Sequence, residues 1–194
     1  MTDLPQPLPP EDLERHLALL AGRRTIHAFE PECPPDEVLL RGLEVAVQAP
    51  NHKGTEPWRF YTLGPESVAA VVDLNSRLVS ERRGPEAGEA KRKRWSAMPG
   101  WLLVTSLRDG DDTVDRENYA AVCCAVQNLS LALWAQGIGM KWGTGPVTAH
   151  EELPAIVGFD PGEERVVGLF WYGRPQAVPK QERQPLGQVL RRCQ

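Results

Sequence analysis

Apolar side chains recur every three or four positions in several stretches of the chain, and this spacing predicts amphipathic helices. In the first stretch the apolar stripe consists of Leu13, Leu17 and Leu20, and Gly22 marks its end. Helices are predicted to begin near residues 11, 36, 66, 114 and 148. The fourth contains no helix-breaking residue and has small side chains at its centre, so we expect it to be the central core helix.

Short apolar or aromatic runs predict strands at 58–63, 101–107 and 164–172, with one more strand before the last helix. The predicted order is therefore helix, helix, strand, helix, strand, helix, strand, helix, strand. This order favours the α+β class, although the pattern alone would also permit a doubly wound sheet.

Three segments have no core pattern of their own. Residues 1–10 contain four prolines and are predicted to form an extended arm. Residues 81–94 hold nine charged residues out of fourteen and are a candidate mobile flap. The basic run at 91–94 could bind an anion, but a solvated surface is the favoured interpretation. The proline-rich tail, residues 175–194, is expected to lie on another surface, such as that of a partner subunit.

The composition of the 194-residue chain excludes several functional classes. A net charge of −4 gives no general nucleic-acid-binding surface. No apolar run reaches the length of a membrane-spanning helix, and the N-terminus lacks the order of a signal peptide, so we expect a cytoplasmic protein without a membrane partner. The four cysteines include no Cys-x-x-Cys pair and have no histidine at zinc spacing, which predicts no metal site.

A short polar loop lies where the second helix ends and the first strand begins. Pro50 and Pro57 enclose it, and it presents the imidazole of His52 and the ammonium of Lys53. Pro57 also predicts an extended backbone for Glu56. An ordinary connection with solvated side chains is the alternative interpretation.

Two further stretches have residue types that suit a ligand. Arg23-Arg24-Thr25 offers guanidinium forks and a hydroxyl, which suit a phosphate, although a solvated basic turn is equally compatible. The glycines around 137–145 follow a helix instead of a strand, so they do not meet the context of a dinucleotide-binding fingerprint. Residues 142–145 instead offer a hydroxyl and unobstructed backbone N–H groups, which can approach a flat heterocycle closely.

These stretches together resemble the nitroreductase family of FMN-dependent oxidoreductases. The resemblance rests on the Arg-Arg-Thr triplet at 23–25, Ala-Pro-Asn-His-Lys at 49–53 with Pro-Trp-Arg-Phe at 57–60, Gly-x-Gly-x-x-Trp-x-Thr-Gly at 137–145, and the basic tail motif at 179–186. The 49–53 variant is similar to a compact subgroup of NAD(P)H nitroreductases. Many members carry Gln and Asn where this chain has Glu56 and Gly54, so the flavin contact of that Asn is not transferred.

The resemblance implies a single domain over residues 1–194, with a mixed sheet flanked by helices. It also implies a homodimer with two FMN sites at the interface, each built by both chains, and a C-terminal extension that packs on the partner. On this basis the candidate phosphate ligands are Arg23, Arg24, Thr25, Lys180 and Arg183, and which tail cation reaches the phosphate stays open. The candidate residues around the flavin ring are Asn51, His52, Lys53, Trp142, Gly143, Thr144 and Gly145.

The implied activity passes a hydride from NAD(P)H through FMN to a small electron-poor acceptor such as a nitroaromatic or a quinone. The cofactor carries the chemistry, so no side chain is required as a catalytic acid or base. Two alternatives remain at this point. One is another flavoenzyme on the same fold, a dehalogenase or a flavin-consuming oxygenase, and the other is a non-catalytic flavin-binding protein.

Overall fold

The computed structural model describes residues 6–193. Its α-helices are α1 (Pro10–Gly22), α2 (Asp36–Ala46), α3 (Pro65–Arg83), α4 (Pro85–Ser96), α5 (Asp112–Ala135), α6 (Leu153–Val157) and α7 (Leu186–Val189). Its strands are β1 (Trp58–Thr62), β2 (Gly100–Leu107), β3 (Gly139–Gly143) and β4 (Glu164–Gly173). Short 3-10 turns cover His52–Gly54 and Pro146–Ala149. No described helix is both long enough and apolar enough to cross a membrane.

The four strands form one sheet in the order β1-β2-β4-β3, and all three neighbouring pairs are antiparallel. One parallel contact lies outside these strand pairs. Thr25 forms an isolated bridge with Met140, and Met140 is near the beginning of β3. This topology confirms the α+β prediction and excludes the doubly wound alternative. It also makes β1 and β3 the two edges of the sheet.

Helices cover both faces of the sheet, because side chains alternate along each strand. Leu102, Val104 and Phe170 point to a core shared with α2 and α5. Leu103, Leu169 and Trp171 point to the opposite face, where the core includes α3 residues and Leu153 of α6. The protein is therefore a three-layer structure, and any site is on one face of the sheet or the other. We call these the α5 face and the α3 face.

The charged segment 81–94 is helical along almost its whole length. It contains the end of α3 and most of α4, which pack against each other as a helical hairpin. Gly88 permits this contact, since a Cβ there would lie 1.8 Å from the hydroxyl oxygen of Ser80. Pro85 occupies the first turn of α4, where a missing N–H costs nothing. Motion of the hairpin as a flap stays a prediction.

Both ends of the described chain expose apolar side chains. No residue of α1 is buried, and Leu13, Leu17 and Leu20 are each more than 40% exposed. Residues 176–193 are all exposed and include α7, with Leu186 at 71%. Residues 1–5 of the predicted arm lie outside the described part of the chain, and residues 6–9 are exposed without regular structure.

Candidate functional site

A cluster of arginines lies where α1 ends. The pKa of Arg23 is lowered, first by partial burial and then by the positive charges of Arg183 and Arg24. Within residues 6–193, no carboxylate forms an ion pair with any of these three guanidiniums. Repelling cations held together without a carboxylate are suited to bind an anion.

The two neighbouring arginines of this cluster have different roles. Arg24 donates to the carbonyl oxygens of Ala21 (2.6 Å) and Arg23 (2.9 Å), so it caps the last turn of α1. Among the described residues, the side chains of Arg23 and Arg183 donate no hydrogen bond to a backbone carbonyl. Lys180 is exposed on the tail, and its charge is not among those that lower the pKa of Arg23. The charge of Arg183, and not that of Lys180, acts on Arg23, so Arg183 is the tail cation that belongs to this cluster.

The arginine cluster lies next to the beginning of the edge strand β3. Residues 143–145, which we call the glycine loop, lie at the other end of this strand. Thr25 bridges Met140, and the N–H of Ile26 donates to the Met140 carbonyl (3.2 Å). From Met140 to Gly145 the chain spans at most about 17 Å. Beyond the Thr25 bridge this edge of β3 is unpaired, since β4 is its only partner strand among the described residues.

The indole of Trp142 and the glycine beside it point to different faces of the sheet. The indole packs on Phe170 at 5.2 Å between ring centroids, and its Nε1 donates to the Val167 carbonyl at 3.0 Å. Gly143 faces Trp171, and a Cβ there would lie 2.7 Å from that ring. Thr144 and Gly145 follow, and both are exposed. The indole of Trp142 is thus on the α5 face, and the glycine loop is open to solvent.

The proline-enclosed loop is held closed by the side chain of Asn51. Its Oδ1 accepts from the N–H of Glu56 (2.7 Å), and its Nδ2 donates to the Thr55 hydroxyl (3.0 Å). Glu56 has a φ of 44° and Lys53 a φ of 61°, both in the left-handed region. The extended backbone predicted for Glu56 from Pro57 is therefore wrong, because the Asn51 amide fixes the strained turn. Such strain is typical of functional loops.

The same loop is anchored to the first half of α5. Thr55 donates to Asn118 Oδ1 at 2.6 Å. The pKa of Asp111, which caps α5, is lowered by the N–H groups of Val114 and Thr113 and to a lesser extent by the nearby Lys53 ammonium. His52 and Lys53 are exposed. The loop is therefore on the α5 face, beside the β1 edge of the sheet.

This position separates the loop from the other two candidate stretches of the same chain. Gly22, next to Arg23, lies beside Trp134 near the end of α5, sixteen residues beyond the Asn118 anchor. Sixteen residues of α-helix span about 24 Å. The glycine loop at 143–145 is at the opposite edge of the sheet from β1. Within one chain, the arginine cluster and the glycine loop therefore lie along β3, whereas the 51–54 loop lies beside β1, at the opposite edge of the sheet.

A cavity of about 390 Å³ adjoins the glycine loop on the α3 face. Its walls come from α3, α4, β3 and the stretch 143–148, and Trp95 and Trp171 form an aromatic side. Lys141 sits over the Trp171 ring, with Nζ 5.2 Å from the centroid. The pKa of Lys141 is lowered by burial first and then by the charges of Arg94 and Lys91.

Comparison with known proteins agrees with the motifs. The model of the nitroreductase family matches residues 20–174. The chain belongs to the nitroreductase family. It is 32% identical to "Putative NAD(P)H nitroreductase YfhC" of Bacillus subtilis (strain 168), over 88% of this chain and 91% of that protein.

Solved structures of nitroreductase relatives have the same architecture. A nitroreductase-like family protein from Bacillus cereus matches with a TM-score of 0.81 and 25% identity, over 100% of this chain and 98% of the other. Iodotyrosine deiodinase bound to FMN and 3-iodo-L-tyrosine matches with a TM-score of 0.70 and 28% identity, over 88% and 95%.

The cavity contains residues that the sequence interpretation did not assign to a site. These are Asn75, Trp95, Lys141 and Trp171, together with Lys91, which had been placed on a solvated surface. Lys91 and Trp95 are four residues apart and share one face of α4. That spacing is visible in the sequence once α4 is known to be a helix.

Proposed function

We propose that the protein is an FMN-dependent oxidoreductase that uses NAD(P)H to reduce a small electron-poor acceptor. The observation that carries this proposal is the arrangement along the free edge of β3. Unneutralised arginines are at one end, and an open glycine loop is at the other. That spacing suits a ligand with a phosphate at one end, a flat ring at the other and a ribityl chain between them. Family membership supports the same cofactor.

The residues at both ends of the β3 edge fit FMN. Arg23 and Arg183 would hold the phosphate through charge-assisted hydrogen bonds, and the Thr25 hydroxyl is placed to add another. Thr144 and Gly145 would contact the ring, because both are exposed and no bulky side chain keeps a flat ring away from their backbone. The Gly145 N–H itself donates to the Thr148 hydroxyl (3.2 Å), which holds the loop in place. When bound, FMN supplies the hydride chemistry, and the chain's residues bind and orient it. Arg24 orders the turn that presents Arg23.

We further propose that each site is completed by a second copy of this chain. The 51–54 loop has the polar residues of a ring contact but is on the α5 face, about 24 Å along α5 from the arginine cluster. A homodimer in which this loop reaches the partner's β3 edge would unite the three motifs. Asn51 then acts by fixing the loop, while His52 and Lys53 face the partner's ring.

The exposed apolar surfaces support the same assembly. Besides Leu13, Leu17 and Leu20 of α1, exposed apolar residues occur on α2 and on the tail, including Leu40 (57%) and Leu186 (71%). An obligate interface would bury apolar side chains of this kind. The tail also carries Arg183 to the arginine cluster, so tail packing and phosphate binding would be coupled.

The direct test is cofactor binding followed by anaerobic reduction. Desalted protein after incubation with FMN should keep about one flavin per chain in its absorption spectrum. NADH or NADPH should then bleach that spectrum, and a panel of nitroaromatic, quinone and iodotyrosine acceptors should restore it. Protein that stays colourless under saturating FMN would end the proposal. A flavin that neither nucleotide reduces would indicate a non-catalytic flavin-binding protein.

Replacement of Lys53 tests the contribution of the loop to the flavin environment. A cation near the ring stabilises the extra negative charge of the reduced flavin, so Lys53→Ala should lower the midpoint potential. A shift on the order of 20 mV corresponds to about 1 kcal/mol for a two-electron couple. Spectroelectrochemistry measures it, with Lys93→Ala on α4 as the control for loss of an exposed lysine. An unchanged potential would make Lys53 a solvated surface residue.

A further inference from the structure

A second group of cations surrounds the cavity on the α3 face. Lys91 and Lys141 are partly buried in its wall, and Arg82 and Arg83 are at its exposed side. The charges that act on Lys141 are those of Arg94 and Lys91, whereas the charges that act on Arg23 are those of Arg183 and Arg24. The positive charge beside β3 therefore falls into two groups. The proposed phosphate contact uses only the group at the end of α1, which consists of Arg23, Arg24 and Arg183.

No carboxylate neutralises the positive charge of the residues that line the cavity. None of its lining residues is acidic, and none of its four cations forms an ion pair between residues 6 and 193. Other arginines of the same helices are paired, as Arg77 is with Glu152 and Arg92 with Asp73. The ion pairs of α3 and α4 thus lie outside the cavity, and its own cations have no acidic partner.

The cavity wall also contains two buried donors without an acceptor. Asn75 is 5% exposed and Trp171 is 3% exposed, and neither Asn75 Nδ2 nor Trp171 Nε1 has a hydrogen-bond partner. Buried N–H groups are normally paired, and an unpaired one is unfavourable. Both nitrogens are covered by neighbouring protein atoms, so the ligand contacts proposed below do not use them.

The aromatic side of the cavity offers apolar surface to an aromatic ligand. The rings of Trp95 and Trp171 have centroids 4.9 Å apart with a 64° angle between their planes, so they meet edge to face. Thr144 and Gly145 line the same cavity and are the proposed ring contacts of FMN. A flat molecule in the cavity would therefore be next to the flavin.

We propose that this cavity binds the electron acceptor, and that the acceptor class is a planar aromatic ring with a carboxylate group. Lys91 and Lys141 bind the carboxylate, and the ring packs against Trp95 and Trp171. This assignment rests on the proposed function, and it adds the charge and shape of the acceptor. For a nitroaromatic acid the balanced reaction is ArNO₂ + NAD(P)H + H⁺ → ArNO + NAD(P)⁺ + H₂O. The two electrons come from NAD(P)H, and the N–O bond breaks to form water.

The test compares an acid with its neutral ester in the FMN-loaded enzyme. We expect kcat/KM for 4-nitrobenzoate, relative to methyl 4-nitrobenzoate, to fall about tenfold in Lys91→Gln and in Lys141→Gln, since each removes one charged contact. The ratio within each variant cancels changes in flavin content. Lys93→Gln, which removes an exposed charge from the same helix as Lys91, should leave the ratio unchanged. An acid-to-ester ratio that is the same in wild type and both variants would overturn the assignment.

A binding measurement keeps the test independent of turnover. Benzoate cannot be reduced by the enzyme, so its affinity is read from quenching of tryptophan fluorescence or from perturbation of the flavin spectrum. Its Kd should rise about tenfold in Lys91→Gln and Lys141→Gln. If no acceptor is reduced but benzoate binds in this way, the proposed function fails and the anion subsite stands. If both acceptors are reduced but benzoate affinity is unchanged in the variants, the subsite fails alone.

The same variants distinguish the acceptor from the nucleotide. The 2′-phosphate of NADPH is another anion that could reach these lysines. Stopped-flow reduction by NADH and by NADPH should be affected equally in Lys91→Gln and Lys141→Gln if the cavity serves the acceptor. A selective loss of NADPH reduction with an unchanged acid-to-ester ratio would assign the lysines to the nucleotide and overturn the proposal.

Discussion

Arg23→Ala should weaken FMN binding by about 2–5 kcal/mol, because it removes one member of a charge-assisted contact to the phosphate. Riboflavin has the same ring without the phosphate, so its affinity should be almost unchanged. Arg183→Ala should behave in the same way, since the charge of Arg183 acts directly on Arg23. Lys180→Ala should have a smaller effect, because Lys180 is not among the charges that act on Arg23. Titration of both ligands against each variant measures these differences.

Arg15→Ala is the matched control for the Arg23 variant. Arg15 is on α1, which Arg23 follows directly; its side chain is 80% exposed, and its nearest carboxylate is Asp12 at 3.7 Å. Its loss should leave both affinities unchanged. Equal losses of FMN and riboflavin affinity in Arg23→Ala would identify Arg23 as a residue needed for the fold instead of for the phosphate.

If the proposed homodimer forms through α1, Leu17→Glu should convert it to a monomer and abolish tight FMN binding together. Leu17 is 47% exposed at the centre of the α1 stripe, and in a homodimer this stripe would be covered. A buried unpaired carboxylate at an interface costs several kcal/mol, so the dissociation constant should rise by at least about a hundredfold. Light scattering measures the mass, and the absorption spectrum of desalted protein measures the retained flavin.

The control for Leu17→Glu is Ala18→Glu. Ala18 is the next residue of α1 and is exposed, but it faces away from the leucine stripe because successive residues of a helix are about 100° apart. The same charge there should leave the mass and the flavin content unchanged. A Leu17→Glu monomer that still binds FMN as tightly as wild type would contradict the shared site.

Most of the fold could be predicted from the sequence because its helices and strands have strong local patterns. The leucine stripe of α1 and the unbroken run of α5 gave both helices to within two residues. Helix α4 was missed, because Gly84, Pro85 and Gly88 are breakers in isolation. Pro85 instead begins the helix, and Gly88 provides the close contact with Ser80 of α3. The local pattern does not show that Pro85 begins a helix or that Gly88 packs against the preceding helix.

The site was predictable where one motif contains its chemistry, and not where tertiary contacts assemble it. The arginines at 23–24 were a candidate phosphate site from their residue types, and Arg183 was a candidate from the family resemblance. The structure brings the charge of Arg183 close enough to act on Arg23. The cavity draws Asn75, Lys91, Lys141 and Trp171 from two helices and two strands, α3, α4, β3 and β4, which span about a hundred residues of the chain. Glu56 departs from the rule for a residue before proline because the Asn51 side chain holds its N–H. No local pattern contains these contacts.

A heterodimer of two binding-deficient chains tests most directly whether each flavin site is shared. One chain carries Arg23→Ala. The other carries Asn51→Ala, which removes the side-chain hydrogen bonds to Thr55 and Glu56 that hold the 51–54 loop closed. Each homodimer should bind FMN weakly. If Arg23 of one chain and the loop of the other serve the same flavin, the heterodimer purified through two different tags contains one intact site and retains one FMN per dimer. If both motifs serve the flavin of their own chain, neither site is intact, and the heterodimer retains no tightly bound FMN.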